Sequence, residues 1–200
     1  MFFMNIGVGG WIGIGVAVLF LVLIIVVISW FIRCYNALVQ LRNKVKNAFS
    51  QIDVQLKRRF DLIPNIVETV KGYAKLEESV WTEFGKARGL YQSASKSGDV
   101  QGMAQANESL GGVVSRLMMV QEQYPALKSD AQFTSLTAEL QNTEKQIAYA
   151  RQFYNDIVQK YNNKIEMFPS NIVAGIFHFE LAKFFEIVKE EQREAPQVKF

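Results

Sequence analysis

Cysteine and histidine occur once each in the 200 residues, as Cys34 and His178. A single cysteine excludes a disulfide framework and a thiolate metal cluster. A single histidine inside an aromatic run argues against a catalytic serine–histidine–acid triad. The HExxH pattern of zinc proteases is not present. No GK[ST] follows the early glycines, so the phosphate-binding loop pattern is missing as well. The sequence therefore predicts a protein that is not an enzyme and has no catalytic, cofactor-binding or metal-binding residues.

Charged side chains are absent from the first 32 residues. Residues 14–32 form an uncharged apolar run, which at about 1.5 Å per residue is long enough to cross a hydrocarbon core of roughly 30 Å. A cleaved signal peptide is the alternative, but it needs a basic start and a small-residue cleavage site, and this segment has neither. We predict an N-terminal segment and transmembrane helix over residues 1–32, with the span itself at about 11–32.

Basic residues follow the apolar run, and no acidic residue precedes Asp53. Positive charge near the end of a span stays on the cytoplasmic side, which predicts an N-terminus outside and a C-terminal domain in the cytoplasm. The membrane-proximal basic residues are Arg33, Arg42, Lys44 and Lys46. Residues 33–76 carry nine basic and three acidic side chains, an imbalance that favours anionic lipid headgroups. Beyond Lys46, a solvated helix face is an equally good interpretation.

Apolar residues recur three and four positions apart beyond the span, which is typical of amphipathic helices, and no strand-like alternation appears. The first stripe runs over residues 38–70 and contains Pro64, where the helix either kinks or stops and restarts with Asp61 as N-cap; the unbroken phase favours the kink. The helical pattern then continues to residue 96. Gly98 and Asp99 supply a break and a new N-cap. The fold class predicted is all-α.

Two further stripes complete the soluble part. One covers residues 103–124, and the other repeats every seven residues from Phe133 to Phe168, as in helices packed against long partners. Ser170 is placed to cap a last apolar segment over residues 171–188, for which we predict packing on the end of the bundle, with a membrane or partner contact as the alternative. We predict a cytoplasmic helical bundle over residues 33–188 and a flexible tail over 189–200.

The basic run Lys57, Arg58 and Arg59 is the one feature that suggests nucleic acid. It lacks interleaved aromatic residues, zinc ligands and a helix-turn-helix pattern. A solvated or carboxylate-paired helix face is the better interpretation, and we predict no nucleic-acid partner.

Several motifs resemble the signature of the bacterial LemA family: IDVQLKRR followed by DLIPN, then ARQFYN, then FPS. The likeness extends from the span to about Phe185. It departs from the family pattern at Phe49, often Trp there, and at Leu76, often His. The resemblance implies a single-pass protein of the bacterial inner membrane, with one N-terminal transmembrane helix followed by an antiparallel bundle of long helices in the cytoplasm.

The resemblance also implies a link to membrane stress and protein quality control, including HtpX-type membrane metalloproteases as partners. Signature positions too polar for a core form either a partner surface or a buried polar network. They are Asp53, Gln55, Arg58, Arg59, Asp61, Asn65, Arg151, Asn155 and Asn162. The leading hypothesis is a non-enzymatic scaffold or adaptor that binds a membrane protein; the alternatives are a lipid-sensing or membrane-organising protein and an unrecognised hydrolase. The early glycines and the heptads are both compatible with a homo-oligomer.

Overall fold

The computed structural model describes residues 8–74 and 78–186, and within these ranges all regular secondary structure is helical. The helices are α1 (Val8–Lys71), α2 (Glu78–Ser97), α3 (Val100–Gln123), α4 (Pro125–Lys128), α5 (Ala131–Glu166) and α6 (Ser170–Ile176). The all-α prediction is confirmed. The tail predicted at 189–200 lies outside the described residues.

The chain divides into two compact units. Of the described residues, 8–43 and 161–181 belong to the first unit, and 44–74, 78–160 and 182–186 belong to the second. Helices α1 and α5 each contribute to both units.

Helix α1 contains the apolar run. Its side chains from Ile14 to Ile28 are exposed, as lipid-facing residues are, and α1 is the one described helix that is long and apolar enough to cross a membrane. The helix continues through Pro64, so the stop and restart considered from the sequence does not occur.

Helix α1 ends at Lys71, and the expectation that the helical pattern continued unbroken to residue 96 is wrong. The N–H groups of Gly72 and Tyr73 bond to the carbonyls of Thr69 and Val70, at 3.3 and 2.9 Å. These bonds span three residues instead of four, so they tighten the last turn and end the helix. An apolar stripe can keep its phase across such a turn, and the periodicity therefore could not reveal it.

The second unit is an antiparallel helical bundle around α1. Asp53 meets Ser95 and Phe60 meets Phe84 on α2, so numbers rise on one helix as they fall on the other. The same order relates α1 to α5, where Phe49 meets Tyr154 and Arg58 meets Glu139. The α1 stripe supplies much of the core: Val45, Ala48, Ile52, Leu56, Phe60, Ile63, Ile66, Val67 and Val70.

The turn between α2 and α3 lies where the sequence predicted it. Gly98 has a φ of 69°, and the Asp99 side chain caps α3 by accepting the N–H of Gln101 at 3.2 Å. Gly102 then allows close packing, since a Cβ there would lie 2.9 Å from that of Ala94. This break and its N-cap are confirmed.

The heptad stripe of α5 is buried at Phe133, Leu140, Ile147, Tyr154 and Tyr161. It fails at Phe168, which lies beyond the helix end at Glu166 and is 78% exposed.

The predicted cap of the last segment is also wrong. Pro169 is the N-cap of α6, and Ser170 lies inside the helix with its hydroxyl bonded to the Met167 carbonyl at 2.9 Å. Helix α6 ends at Ile176, just before His178, whose φ of 52° does not continue a helix. The described remainder, residues 177–186, has no regular secondary structure.

Candidate partner-binding surface

Arg59 lies at the centre of the second unit, 4% exposed. Its Nη1 donates to the main-chain carbonyl of Asn107 on α3 at 3.0 Å and to the Asn107 side-chain oxygen. Its Nε forms an ion pair with Glu144 on α5. Burial lowers the pKa of Arg59 and the nearby Glu144 carboxylate opposes that shift, so the guanidinium stays charged. This one side chain therefore joins α1 to two other helices.

Arg58 makes a different, exposed contact. Its Nη2 and Nε both donate to Oε1 of Glu139 on α5, at 2.7 and 3.0 Å. An ion pair between half-exposed side chains contributes little to stability, about 0–1 kcal/mol. Two of the three cations in the basic run are thus paired with carboxylates.

Asp53 joins α1 to α2. Its Oδ1 accepts the Tyr91 hydroxyl at 2.8 Å and the Ser95 hydroxyl at 3.0 Å. Burial, followed by the hydrogen bond to Asp53, raises the pKa of Tyr91 well above its usual range. The Tyr91 ring stacks on Phe60 with 4.7 Å between centroids. This polar contact therefore lies beside an aromatic one and helps to set the register of the two helices.

Asn155 holds the C-terminal part of the described chain. Its side-chain oxygen accepts the Phe185 N–H at 2.8 Å, and the neighbouring Tyr154 hydroxyl donates to the Lys183 carbonyl, also at 2.8 Å. Burial raises the pKa of Tyr154 to about 12, so the hydroxyl stays protonated and able to donate. The Phe185 side chain is buried beside this contact.

The other signature residues differ in their exposure. Asp61, Asn65 and Arg151 are exposed, whereas Gln55 and Asn162 are half-buried. All the membrane-proximal basic residues, Arg33, Arg42, Lys44 and Lys46, are exposed. Internal contacts thus engage Asp53, Arg58, Arg59 and Asn155, whereas Asp61, Asn65 and Arg151 lie at the surface.

Sequence reasoning missed a groove between α1 and α5 in the second unit. The groove has a volume of about 410 Å³ and is lined by Ser50, Gln51, Val54, Gln55, Gln146, Tyr149 and Ala150. Val54 and Tyr149 are 62% and 72% exposed, and Phe153, one helical turn beyond Tyr149, is also exposed. A signal was available, because these three large side chains fall outside the buried stripes of their own helices.

Cysteine and histidine, which often bind metals or take part in catalysis, are rare in this chain. Within residues 8–74 and 78–186, no three His, Cys, Asp or Glu side chains are grouped as metal ligands would be. Cys34 is buried and His178 is exposed. What the described residues do offer is a set of helix surfaces.

Comparison with known proteins identifies the family of this chain. A model of the LemA family matches residues 48–200. The chain belongs to the LemA family. One LemA-like relative is magnetosome protein MamQ 2 of Paramagnetospirillum magneticum, 26% identical over 182 residues, which cover 80% of this chain and 67% of that protein.

Two other relatives extend the comparison. Magnetosome protein MamQ of Magnetospirillum gryphiswaldense is 24% identical over 181 residues, covering 79% of this chain and 66% of that protein. Protein LemA of Metamycoplasma hominis is 26% identical over 141 residues, covering 70% and 63%. The chain thus spans about two thirds of the length of these relatives. With the apolar segment of α1, the family membership makes this a membrane-associated protein.

Proposed function

We propose that this LemA-family protein is a non-enzymatic, single-pass membrane adaptor that binds a partner protein through the groove between α1 and α5. The observation that carries the proposal is the exposure of Val54 and Tyr149 in this groove, with the exposed Phe153 one helical turn beyond Tyr149 on α5. Large apolar side chains grouped on an otherwise polar surface are typical of interaction sites. Tyrosine is among the residues that most often dominate binding energy at such sites.

The groove fits a helical segment of the partner. Two packed helices leave a channel between them that an amphipathic third helix can fill with its apolar face. The Gln55 side-chain oxygen is buried at this groove without a hydrogen-bond donor. A buried acceptor without a donor is costly, and rotation of the Gln55 amide toward the groove would let a polar side chain on the incoming helix supply one. The partner segment we propose is therefore an amphipathic helix with a donor on its apolar face.

The location and pathway are parts of the same proposal. The bundle lies in the cytoplasm beneath the bacterial inner membrane, because the exposed Arg33, Arg42, Lys44 and Lys46 follow the span. The partner is a membrane protein, and the family resemblance favours an HtpX-type metalloprotease in membrane stress or protein quality control. A membrane-impermeant thiol reagent should label Tyr149→Cys in opened inner-membrane vesicles and not in spheroplasts; labelling in spheroplasts contradicts this orientation.

Photocrosslinking in cells tests the adaptor directly. A photoreactive residue at Tyr149 should capture one discrete membrane protein, and Val54→Glu should abolish that capture. The matched control is a photoreactive residue at Arg151, which is exposed on α5 but roughly 160° away around the helix. Capture of the same protein from Arg151 alone would move the site to another face, and capture of only lipid would contradict the adaptor.

The basic segment beyond the span supports a second candidate function, a lipid-sensing or membrane-organising protein. Four exposed cations within residues 33–46 attract anionic headgroups, at about 1 kcal/mol for each cation near the surface. Native mass spectrometry of the full chain from mixed-lipid nanodiscs should find phosphatidylglycerol retained over phosphatidylcholine. Replacing the four cations with Gln should remove this preference, and a preference that survives the replacement contradicts the candidate.

A further inference from the structure

Residues 167–177, which contain α6, form an uncharged apolar surface within the first unit. No Asp, Glu, Lys or Arg occurs between Glu166 and Glu180. The helix packs through Ser170, Val173 and Ala174, which are buried, and leaves Phe168, Ile172 and Ile176 exposed. Ile172 and Ile176 lie four residues apart on the same side of α6, the exposed Met167 and Phe168 precede the helix, and the exposed Phe177 follows it. We refer to these five residues as the apolar patch.

Ring contacts place this patch beside the end of the apolar run of α1. Phe177 contacts Tyr35 and Phe31, with centroids 4.5 and 5.9 Å apart. Phe179 contacts Tyr35 at 5.9 Å and lies under the guanidinium of Arg42 at 5.2 Å. Phe179 therefore contacts Tyr35 and Arg42. Phe177, next to the end of α6, contacts Tyr35 and Phe31, which lies nearer to the span.

The depth of these contacts follows from helix geometry. The apolar run ends at Ile32, so Tyr35 lies about 4–5 Å beyond it along α1. The headgroup layer extends roughly 5–7 Å beyond the hydrocarbon core on each side. Phe177 and the end of α6 are therefore level with the headgroup layer, where aromatic side chains are enriched.

We infer that residues 167–177 insert into the interfacial layer of the same bilayer that holds the α1 span. Phospholipid then covers the patch, which is a second membrane contact of the chain. Phe177 joins the patch to Phe31 at the end of the apolar run, and the patch carries no charge that would oppose burial beside acyl chains. This inference rests on the membrane association of the chain and is independent of the proposed adaptor.

Fluorescence quenching of the full chain in phosphatidylcholine nanodiscs tests this contact. With Cys34→Ala as background, an environment-sensitive dye is attached to Ile172→Cys, Ile176→Cys or the control Asn163→Cys, an exposed position of the same unit. We expect blue-shifted emission at 172 and 176, loss of emission with brominated lipid, and protection from iodide. The dye at 163 should respond only to iodide.

Two results would overturn the inference. One is a dye at 172 and 176 that behaves as it does at 163. The other is a dye shielded from both quenchers, which would assign the patch to a second copy of the chain. The unsubstituted protein provides a check free of folding defects: a phospholipid with a diazirine near its glycerol should form adducts within 167–177, and adducts confined to the span contradict the contact.

Discussion

Arg59 reaches from α1 to Asn107 on α3 and Glu144 on α5. A charge held between three helices is satisfied in only one relative placement of those helices. The contact therefore acts on the register of the bundle as well as on its stability. Arg58, the next residue along the chain, makes an exposed pair that has no such role.

The difference between the two arginines is measurable. Glu144→Ala should lower the free energy of unfolding by about 2 kcal/mol, because it leaves a buried guanidinium with Asn107 as its remaining partner. The matched change Glu139→Ala removes the partner of exposed Arg58 and should cost at most about 1 kcal/mol. Chemical unfolding of the full chain in detergent, followed by circular dichroism, compares the two. Equal losses would show that Arg59 has no special role.

Asp130 makes the stability of the folded protein depend on pH. The N–H of Phe133 and the hydroxyl of Tyr73 both donate to its carboxylate, at 2.8 Å each, and they lower its pKa below the ordinary 3.8. The unfolded chain therefore binds this proton more readily than the folded chain. The stabilisation is fully present above pH 4, and it is lost as the pH falls through the lower pKa that Asp130 has in the folded chain.

We predict that Asp130→Asn keeps a capping oxygen but flattens this dependence. The fall in melting temperature between pH 5 and pH 3 should be smaller in the variant than in the natural chain. Tyr73→Phe removes the second donor, and its decrease in melting temperature should be intermediate between those of Asp130→Asn and the natural chain. A variant with an unchanged slope would mean that other carboxylates account for the acid response.

At the scale of single elements, the turn between α2 and α3 depends on one backbone conformation. Gly98 has a φ of 69°, which costs a residue with a Cβ about 1–2 kcal/mol. No atom would contact an added Cβ at Gly98 or at Gly89, which lies exposed within α2. The two positions differ in backbone conformation and not in available space.

The same substitution should therefore have opposite effects at the two glycines. Gly98→Ala should destabilise the protein by about 1 kcal/mol, whereas Gly89→Ala should stabilise it by up to about 1 kcal/mol through helix propensity. Denaturant midpoints of the two variants provide the comparison. A shift of the same sign in both would contradict the role given to the turn.

For the whole molecule, the apolar run of α1 decides where the protein resides. Ile24 and Ile25 lie near its centre and are exposed. An arginine at the centre of a span costs about 2.5–3.5 kcal/mol for insertion, so replacing both with Arg should release the chain from membranes washed with carbonate. Tyr149→Arg, a change at an exposed position of the second unit, should leave the chain in the membrane pellet. Retention of the double variant would mean that α1 is not the anchor.

Much of this architecture could be predicted from local patterns. Apolar residues spaced three and four apart placed the helices and most of the core, and Gly98 with Asp99 marked a turn correctly. Both signals act over a few residues, within one turn of helix. The end of α1 at Lys71 was not predicted, because main-chain bonds decide it. The cap of α6 was predicted wrongly, because Ser170, a residue type that often caps helices, lies inside the helix with its hydroxyl bonded to the Met167 carbonyl.

The sequence by itself determined the span, the all-α class and the family, because each depends on order along the chain. Only the tertiary structure decided which polar residues face inward. Arg58 and Glu139 are 81 residues apart and Arg59 and Asn107 are 48 apart, so their contacts depend on how each helix is rotated about its axis. That rotation buries Arg59 and leaves Tyr149 exposed, since a helix turns a different face to its neighbours with every residue.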